Sequence, residues 1–237
     1  MGRGEAMSGR LYGLGVGPGD PELLTLKALG VLKRVRVVAY PALEEGDSFA
    51  RAIAAAHLSA DVREIAVRVP MSPDPNAALG AYDRAAVEIA AELEAGRDVA
   101  VLCQGDPFLY GSFMYLHERL VGRFQVEVVP GVTSLTAAAA AAGRPLVARN
   151  ESLAVVPATL SEEALVERLS GSDALAIVKL GRHLEKVRRV MARIGRADEA
   201  IYVERATLPQ QLLAPLSQAP DAAPYFSMIL VPGRGHR

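Results

Sequence analysis

The chain has 237 residues, of which 51% are hydrophobic and 22% charged, with a formal net charge of −1. That is enough apolar material for a sizeable core and more length than one ordinary domain of roughly 100–200 residues needs, so disorder is excluded as the dominant state. The near-zero charge argues against a nucleic-acid backbone as the main partner. The one cysteine, Cys103, excludes an internal disulfide and any cysteine-built metal site.

The leader Met1–Arg10 is small and polar without an apolar centre, so it reads as a loose tail rather than a signal peptide. Short β-branched runs then alternate with helical patterns. Strands are expected at Leu11–Val16, Arg36–Tyr40, Val62–Val67, Val99–Cys103 and Val126–Val129, and helices at Pro21–Lys33, Ser48–Leu58, Asn76–Ala95 and Ser112–Leu120. Continuous apolar runs such as Val99–Cys103 suit strands buried on both faces, and the alternation predicts a parallel sheet covered by helices. A breaker and helix-capping residues, Pro130-Gly131-Val132-Thr133-Ser134, follow the fifth strand. Strands resume at Leu153–Val156, Ala174–Lys179, Ala200–Val203 and Phe226–Val231, with helices at Ser161–Leu169 and His183–Ile194. Leu208–Pro224, rich in Pro, Gln and Ala, receives no assignment. The Ala-rich run Leu135–Ala142 is far shorter than the roughly 18 residues of a membrane span. The boundary falls near Val129–Ser134, giving domains 8–129 and 130–237.

The first strand ends in Gly13-Leu14-Gly15-Val16-Gly17-Pro18-Gly19-Asp20-Pro21. A dinucleotide fingerprint needs Gly-x-Gly-x-x-Gly. From Gly13 the sixth position is Pro18, and from Gly15 it is Asp20, so the register fails and with it an NAD-linked oxidoreductase. Asp20-Pro21 reads as an N-cap and first-turn proline. The glycines imply a backbone that something approaches closely. Elsewhere, His57, His117, His183 and His236 are scattered and no metal site is expected. Cys103 reads as a core residue, Glu162–Glu163 as a helix first turn, and Lys186–Arg189 as a solvated helix face.

Gly15–Ala28, Gly105-Asp106-Pro107 and Pro130–Ser134, in that order and after the first, fourth and fifth strands, resemble the three signatures of the tetrapyrrole methylases, the class III methyltransferases. The resemblance runs from Leu11 to Pro232. It implies two α/β domains, a parallel N-terminal sheet and a mixed C-terminal one, with an S-adenosyl-L-methionine cleft between them, in a cytoplasmic homodimer that binds neither nucleic acid nor membrane. The implied cofactor residues are Pro18, Gly105, Asp106, Tyr110, Gly111, Thr133, Ser134, Leu180, Tyr202, Glu204, Arg205, Ser227 and Met228. Ordinary strand-end packing accounts equally well for any single one of the C-terminal contacts. Phe108–Leu116, Val69–Asp74, Pro224–Val231 and Tyr40-Pro41 further resemble the branch that methylates precorrin-2 at C(20), with the metal-free ring preferred to its cobalt-containing counterpart.

On that resemblance the substrate is a small-molecule tetrapyrrole, an electron-rich polycarboxylate ring. Arg68, Arg149, Lys179, Arg182 and Arg205, at or beyond strand ends, are candidates for its carboxylates, and Tyr40, Tyr110 and Ser112 for further contacts. One proton leaves the meso carbon after methylation. Asp106 either accepts it, anchors a pyrrole N–H, or only caps a helix beginning near Phe108. Relatives that methylate RNA or a translation factor, and a binding protein without catalysis, are the competing readings.

Overall fold

The computed structural model describes residues 8–43, 46–70 and 75–235. Met71–Asp74 of the Val69–Asp74 segment, His236 and most of the leader lie outside the described residues. The chain divides into two compact units, Met1–Thr133 and Ser134–Arg237.

In the first unit, β1 (Leu11–Gly15), β2 (Val37–Leu43), β3 (Arg63–Val69), β4 (Val99–Cys103) and β5 (Val126–Val129) form an all-parallel sheet in the order β3-β2-β4-β1-β5. Alternate residues of each strand face opposite sides. Leu11, Val37, Ala39, Val99, Val101 and Cys103 pack under α3 (Pro75–Glu94) and α4 (Phe113–Leu120). Tyr12, Leu14, Val38, Ala100 and Leu102 pack under α1 (Leu26–Leu32) and α2 (Phe49–Ala54). At β1 and β4 both faces are dry, which is why those strands read as continuous apolar runs.

The expected helix Pro21–Lys33 is two elements. Asp20 caps a 3-10 turn, Pro21–Leu23, accepting from the Glu22 N–H, and Thr25 then caps α1 through the Ala28 N–H. A second capping residue inside the run restarts the helix. Strand β2 extends past Tyr40 through Pro41 to Leu43. The helix expected at Ser112–Leu120 runs from Phe113 to Leu120 with Ser112 at its N-cap; none begins near Phe108, because Tyr110 has φ +55° and no continuing α-helix admits that conformation.

The second unit opens with α5 (Ser134–Ala141) and holds β6 (Leu153–Pro157), α6 (Glu162–Leu169), β7 (Ala174–Val178), α7 (Leu184–Arg193), β8 (Ile201–Glu204), β9 (Leu212–Pro215) and β10 (Ser227–Val231). Its sheet is mixed, in the order β6-β7-β10-β8-β9, with β6 and β7 parallel and β10 antiparallel to both neighbours. Helices α6 and α7 cover one face and the Ala-rich α5 the other. Ser161 caps α6, with Glu162 and Glu163 in its first turn.

Strand β9 lies in the segment left unassigned. It is a four-residue edge strand with no buried position, so neither alternation nor a buried run marks it. The run Lys186–Arg189 is not a wholly solvated face. Val187 is fully buried, and Arg188 donates to the carbonyls of Leu216, Ala219 and Pro220 at 2.7–3.2 Å, stitching the segment after β9 to α7. Arg189 is exposed and paired with Glu162.

Candidate functional site

Strand β1 connects leftwards to β2 and β4 rightwards to β5, in the strand order above, so adjacent strands β4 and β1 send their helices to opposite faces. Ligands of doubly wound sheets bind outside the carboxyl ends of the strands at such a switch point. The glycine motifs sit there.

The loops after β1, β4 and β5 come to backbone contact. Gly17 and Gly105 form an isolated antiparallel bridge, with the Gly105 N–H donating to Gly17 O at 2.7 Å. A Cβ on Gly131 would lie 2.0 Å from Gly105 O, and one on Gly15 would lie 2.5 Å from Gly131 N. What approaches these glycines so closely is therefore the other glycine loops. Gly13 answers to a side chain, since its Cβ would enter the Phe113 ring. Pro18 is buried, and its carbonyl accepts from Gln104 Nε2 at 3.3 Å.

Gly105 differs. Its φ is +67°, and a Cβ there would meet nothing closer than Val132 O at 4.0 Å, so space opens beside its main chain. Asp106 holds the surrounding turn: Oδ1 accepts from Phe108 N at 2.9 Å and Oδ2 from Gly131 N at 3.1 Å. It caps a turn rather than a helix, and it ties the loop after β4 to the loop after β5. Gly111 is fixed by close approach to Pro107 O. Ser112 is bonded to the Cys103 thiol, which burial pushes up to about 12. Cys103 is a core residue with no thiolate to offer. Thr133, half-buried, ends this unit.

Of the remaining candidates here, Tyr40 donates to Glu64 Oε2 at 2.6 Å, and Arg51 binds the same carboxylate through two nitrogens. Burial, followed by the Glu64 carboxylate, raises the Tyr40 phenol. Arg68 donates to the carbonyls of Leu43 and Gly46 and so braces the turn after β2.

In the second unit the candidates gather at one sheet edge. Strands β7 and β8 end there and β10 begins there, because β10 runs antiparallel between them. Lys179, Leu180 and Arg182 follow β7, Arg205 follows β8, and Ser227 and Met228 open β10. Tyr202 is fully buried and donates to Glu204 Oε2 at 2.7 Å, while Arg205 pairs with Glu204 Oε1 at 2.8 Å. Burial, and then the adjacent Glu204 carboxylate, push the Tyr202 phenol well above the usual range. Ser227, also buried, donates to Pro224 O. Leu180 is fully buried, with its side chain in the core. Arg149, exposed and preceding β6, is at the opposite edge, where the parallel strands β6 and β7 begin. Ser134 starts α5. Four of the five non-glycine residues with positive φ among the described residues are nominated positions, Tyr110, Arg149, Lys179 and Arg205, and such strained backbone concentrates at functional sites.

Among the described residues no three His, Cys, Asp or Glu side chains group as metal ligands, and no helix is long and apolar enough to cross a membrane.

A doubly wound sheet with a glycine-built carboxyl edge, followed by a mixed sheet with polar strand ends, defines a two-unit α/β protein. The chain belongs to the Tetrapyrrole (Corrin/Porphyrin) Methylases, whose family model matches residues 10–220. It is 44% identical over 234 residues to a precorrin-2 C(20)-methyltransferase of Sinorhizobium sp, covering 95% of this chain and 96% of that one. It is 34% identical to the cobalt-precorrin-2 C(20)-methyltransferase of Salmonella typhimurium, over 95% and 97% of the two chains. The solved uroporphyrin-III C-methyl transferase of Thermus thermophilus, complexed with S-adenyl homocysteine, superimposes with a TM-score of 0.67 at 28% identity, over 94% of this chain and 97% of that one.

Proposed function

We propose that this protein transfers the methyl group of S-adenosyl-L-methionine to the C(20) meso carbon of precorrin-2, between rings A and D, giving precorrin-3A in cobalamin biosynthesis. The observation that carries the reading is the near full-length identity to the Sinorhizobium enzyme, spanning both units and all three glycine and proline motifs. When bound, S-adenosyl-L-methionine supplies a methyl group on a cationic sulfur.

The residues present fit such a donor. Gly105 leaves open space beside its main chain, where a side chain would stand in the way, and main-chain groups hold a ligand without adding charge. In the first unit, Pro18, Gly105, Asp106, Tyr110, Gly111 and Thr133 are the proposed donor residues. In the second, they are Ser134, Leu180, Glu204, Arg205, Ser227 and Met228, with Tyr202 holding Glu204 in place. Asp106 acts as a positioning residue, fixing the Gly105 loop through two N–H bonds. The meso carbon is nucleophilic by itself, so the protein's task is alignment, and orientation alone contributes up to roughly 10 kcal/mol. No nucleophilic side chain is required, consistent with an inert Cys103. We further propose a cytoplasmic homodimer, which sedimentation and cell fractionation test.

The experiment supplies a carbon-13 methyl donor with precorrin-2, prepared with and without cobalt, and locates the label by NMR. Label at C(20) is expected, with faster turnover of the metal-free ring. Label on a pyrrole β-carbon would overturn the regiochemistry. Faster turnover of the cobalt ring would move the substrate to the form named for the Salmonella relative.

A further inference from the structure

The edge of the second unit where β7 and β8 end carries two exposed aromatic side chains that the donor residues do not account for. Tyr225 and Phe226 are 59% and 38% exposed, and their rings meet edge to face with centroids 5.2 Å apart. They immediately precede buried Ser227. Neighbouring residues thus divide, with Ser227 and Met228 turned into the unit and Tyr225 and Phe226 presented to solvent. Large exposed apolar side chains held together in this way mark a contact surface.

Their flanks are cationic. Strand β10 lies between β7 and β8, so the segment entering it lies between the loops leaving them. The Arg205 N–H donates to Phe226 O at 3.0 Å, and the Tyr225 Cα is 3.9 Å from where a Gly181 Cβ would stand. Lys179 and Arg182 are therefore on one side of the aromatic pair and Arg205 on the other. Burial, with Lys186 and Arg182 close by, holds His183 below the usual imidazole value, which agrees with a locally positive edge. Glu204 is committed to Tyr202 and Arg205, and Glu185 pairs with Arg188.

We propose that Tyr225 and Phe226 are the surface on which the tetrapyrrole ring lies, with Lys179 and Arg182 beside them taking its peripheral carboxylates. This rests on the function proposed above and extends it to residues with no assigned role. An apolar ring rimmed with carboxylates matches both parts: the exposed aromatic pair meets its apolar body, and the Arg182 guanidinium and Lys179 ammonium take its carboxylates.

The test compares Tyr225→Ala, Arg182→Gln and Arg182→Lys with the native protein. Uroporphyrin, a fluorescent tetrapyrrole polycarboxylate, probes binding without turnover. S-adenosylhomocysteine titration probes the donor site, and steady-state kinetics on precorrin-2 give KM and kcat. Tyr225→Ala should weaken uroporphyrin binding and raise KM about tenfold, with kcat far less affected. Arg182→Gln should do so about fivefold and flatten the salt dependence, with partial recovery in Arg182→Lys. S-adenosylhomocysteine affinity should stay within about twofold of native. Unchanged uroporphyrin affinity and KM would overturn the proposal, as would a parallel fall in S-adenosylhomocysteine affinity, which would give the surface to the donor. If the native protein methylates no tetrapyrrole but uroporphyrin binding still falls in the variants, the reaction fails and this surface stands.

Discussion

The carboxyl edge of the first sheet and the polar edge of the second are built on opposite principles. The first is made by leaving atoms out: Gly15, Gly105 and Gly131 bring three loops to backbone contact, and Asp106 ties two of them together. The second is made by putting atoms in: a buried carboxylate, Glu204, satisfies a buried phenol and pairs with Arg205. One edge should therefore fail when a methyl group is added and the other when a carboxylate is removed.

The largest expected effect is at Gly131. Gly131→Ala places a carbon 2.0 Å from a carbonyl oxygen that belongs to backbone and cannot swing aside. The variant should lose about 3 kcal/mol, or roughly 6–12 °C in Tm, and S-adenosylhomocysteine affinity with it. A loss under about 1 kcal/mol in a denaturant titration would show that the loops can part, and would break the comparison on that side.

On the other side, Glu204→Ala strands the buried Tyr202 hydroxyl and should cost about 2 kcal/mol. The pH dependence sharpens this. Tyr202 ionises at higher pH folded than unfolded, so its contribution is complete below pH ~10 and is lost as pH rises beyond it. Native protein should lose stability above pH ~10 more steeply than Tyr202→Phe does. Parallel alkaline limbs would remove the phenol–carboxylate pair from the energetics.

Asp106 comes third, as the side chain that ties two loops of the glycine edge together. Asp106→Ala leaves two N–H groups without acceptors and should cost about 1–2 kcal/mol. A fall in kcat of about 10²-fold or more in a protein whose stability is near native would make Asp106 the proton acceptor rather than a positioning residue. The smallest effect is a control of opposite sign. Gly30 lies inside α1 with nothing within 4 Å of an added Cβ, so Gly30→Ala should stabilise by about 0.5–1 kcal/mol. Destabilisation at Gly30 would imply that glycines outside the loop contact are also packed.

These contrasts decide what could be read from the sequence. Buried parallel strands announce themselves, and β4 is found with its exact limits because both faces select apolar residues. The glycine and proline motifs are legible for a related reason, since no other residue fits a backbone contact. Their partner was not legible, because the approach between Gly15 and Gly131 joins residues far apart in sequence. Strand β9 escaped for want of a buried face. The left-handed Tyr110 carries no compositional mark, so the sequence could not tell that Asp106 caps a turn rather than a helix. Arg68 and Arg149 were nominated on charge and loop position alone. The structure commits the first to the carbonyls of Leu43 and Gly46 and sets the second at the far edge of its sheet. By contrast, the alternation of Tyr202 and Glu204 along β8 puts them on the shared face that their hydrogen bond requires.

The three-glycine contact also has a kinetic side. Gly15 and Gly131 are separated by nearly the whole first unit, so their loops meet only after β1, β4 and β5 are all in register. Contacts of such long range form late, after most of the loop-closure entropy has been spent. Substitution there should leave the refolding limb of a chevron nearly unchanged and steepen escape from the native state. The contact thus acts as a latch on a completed sheet, governing how long the first unit stays folded rather than how fast it folds.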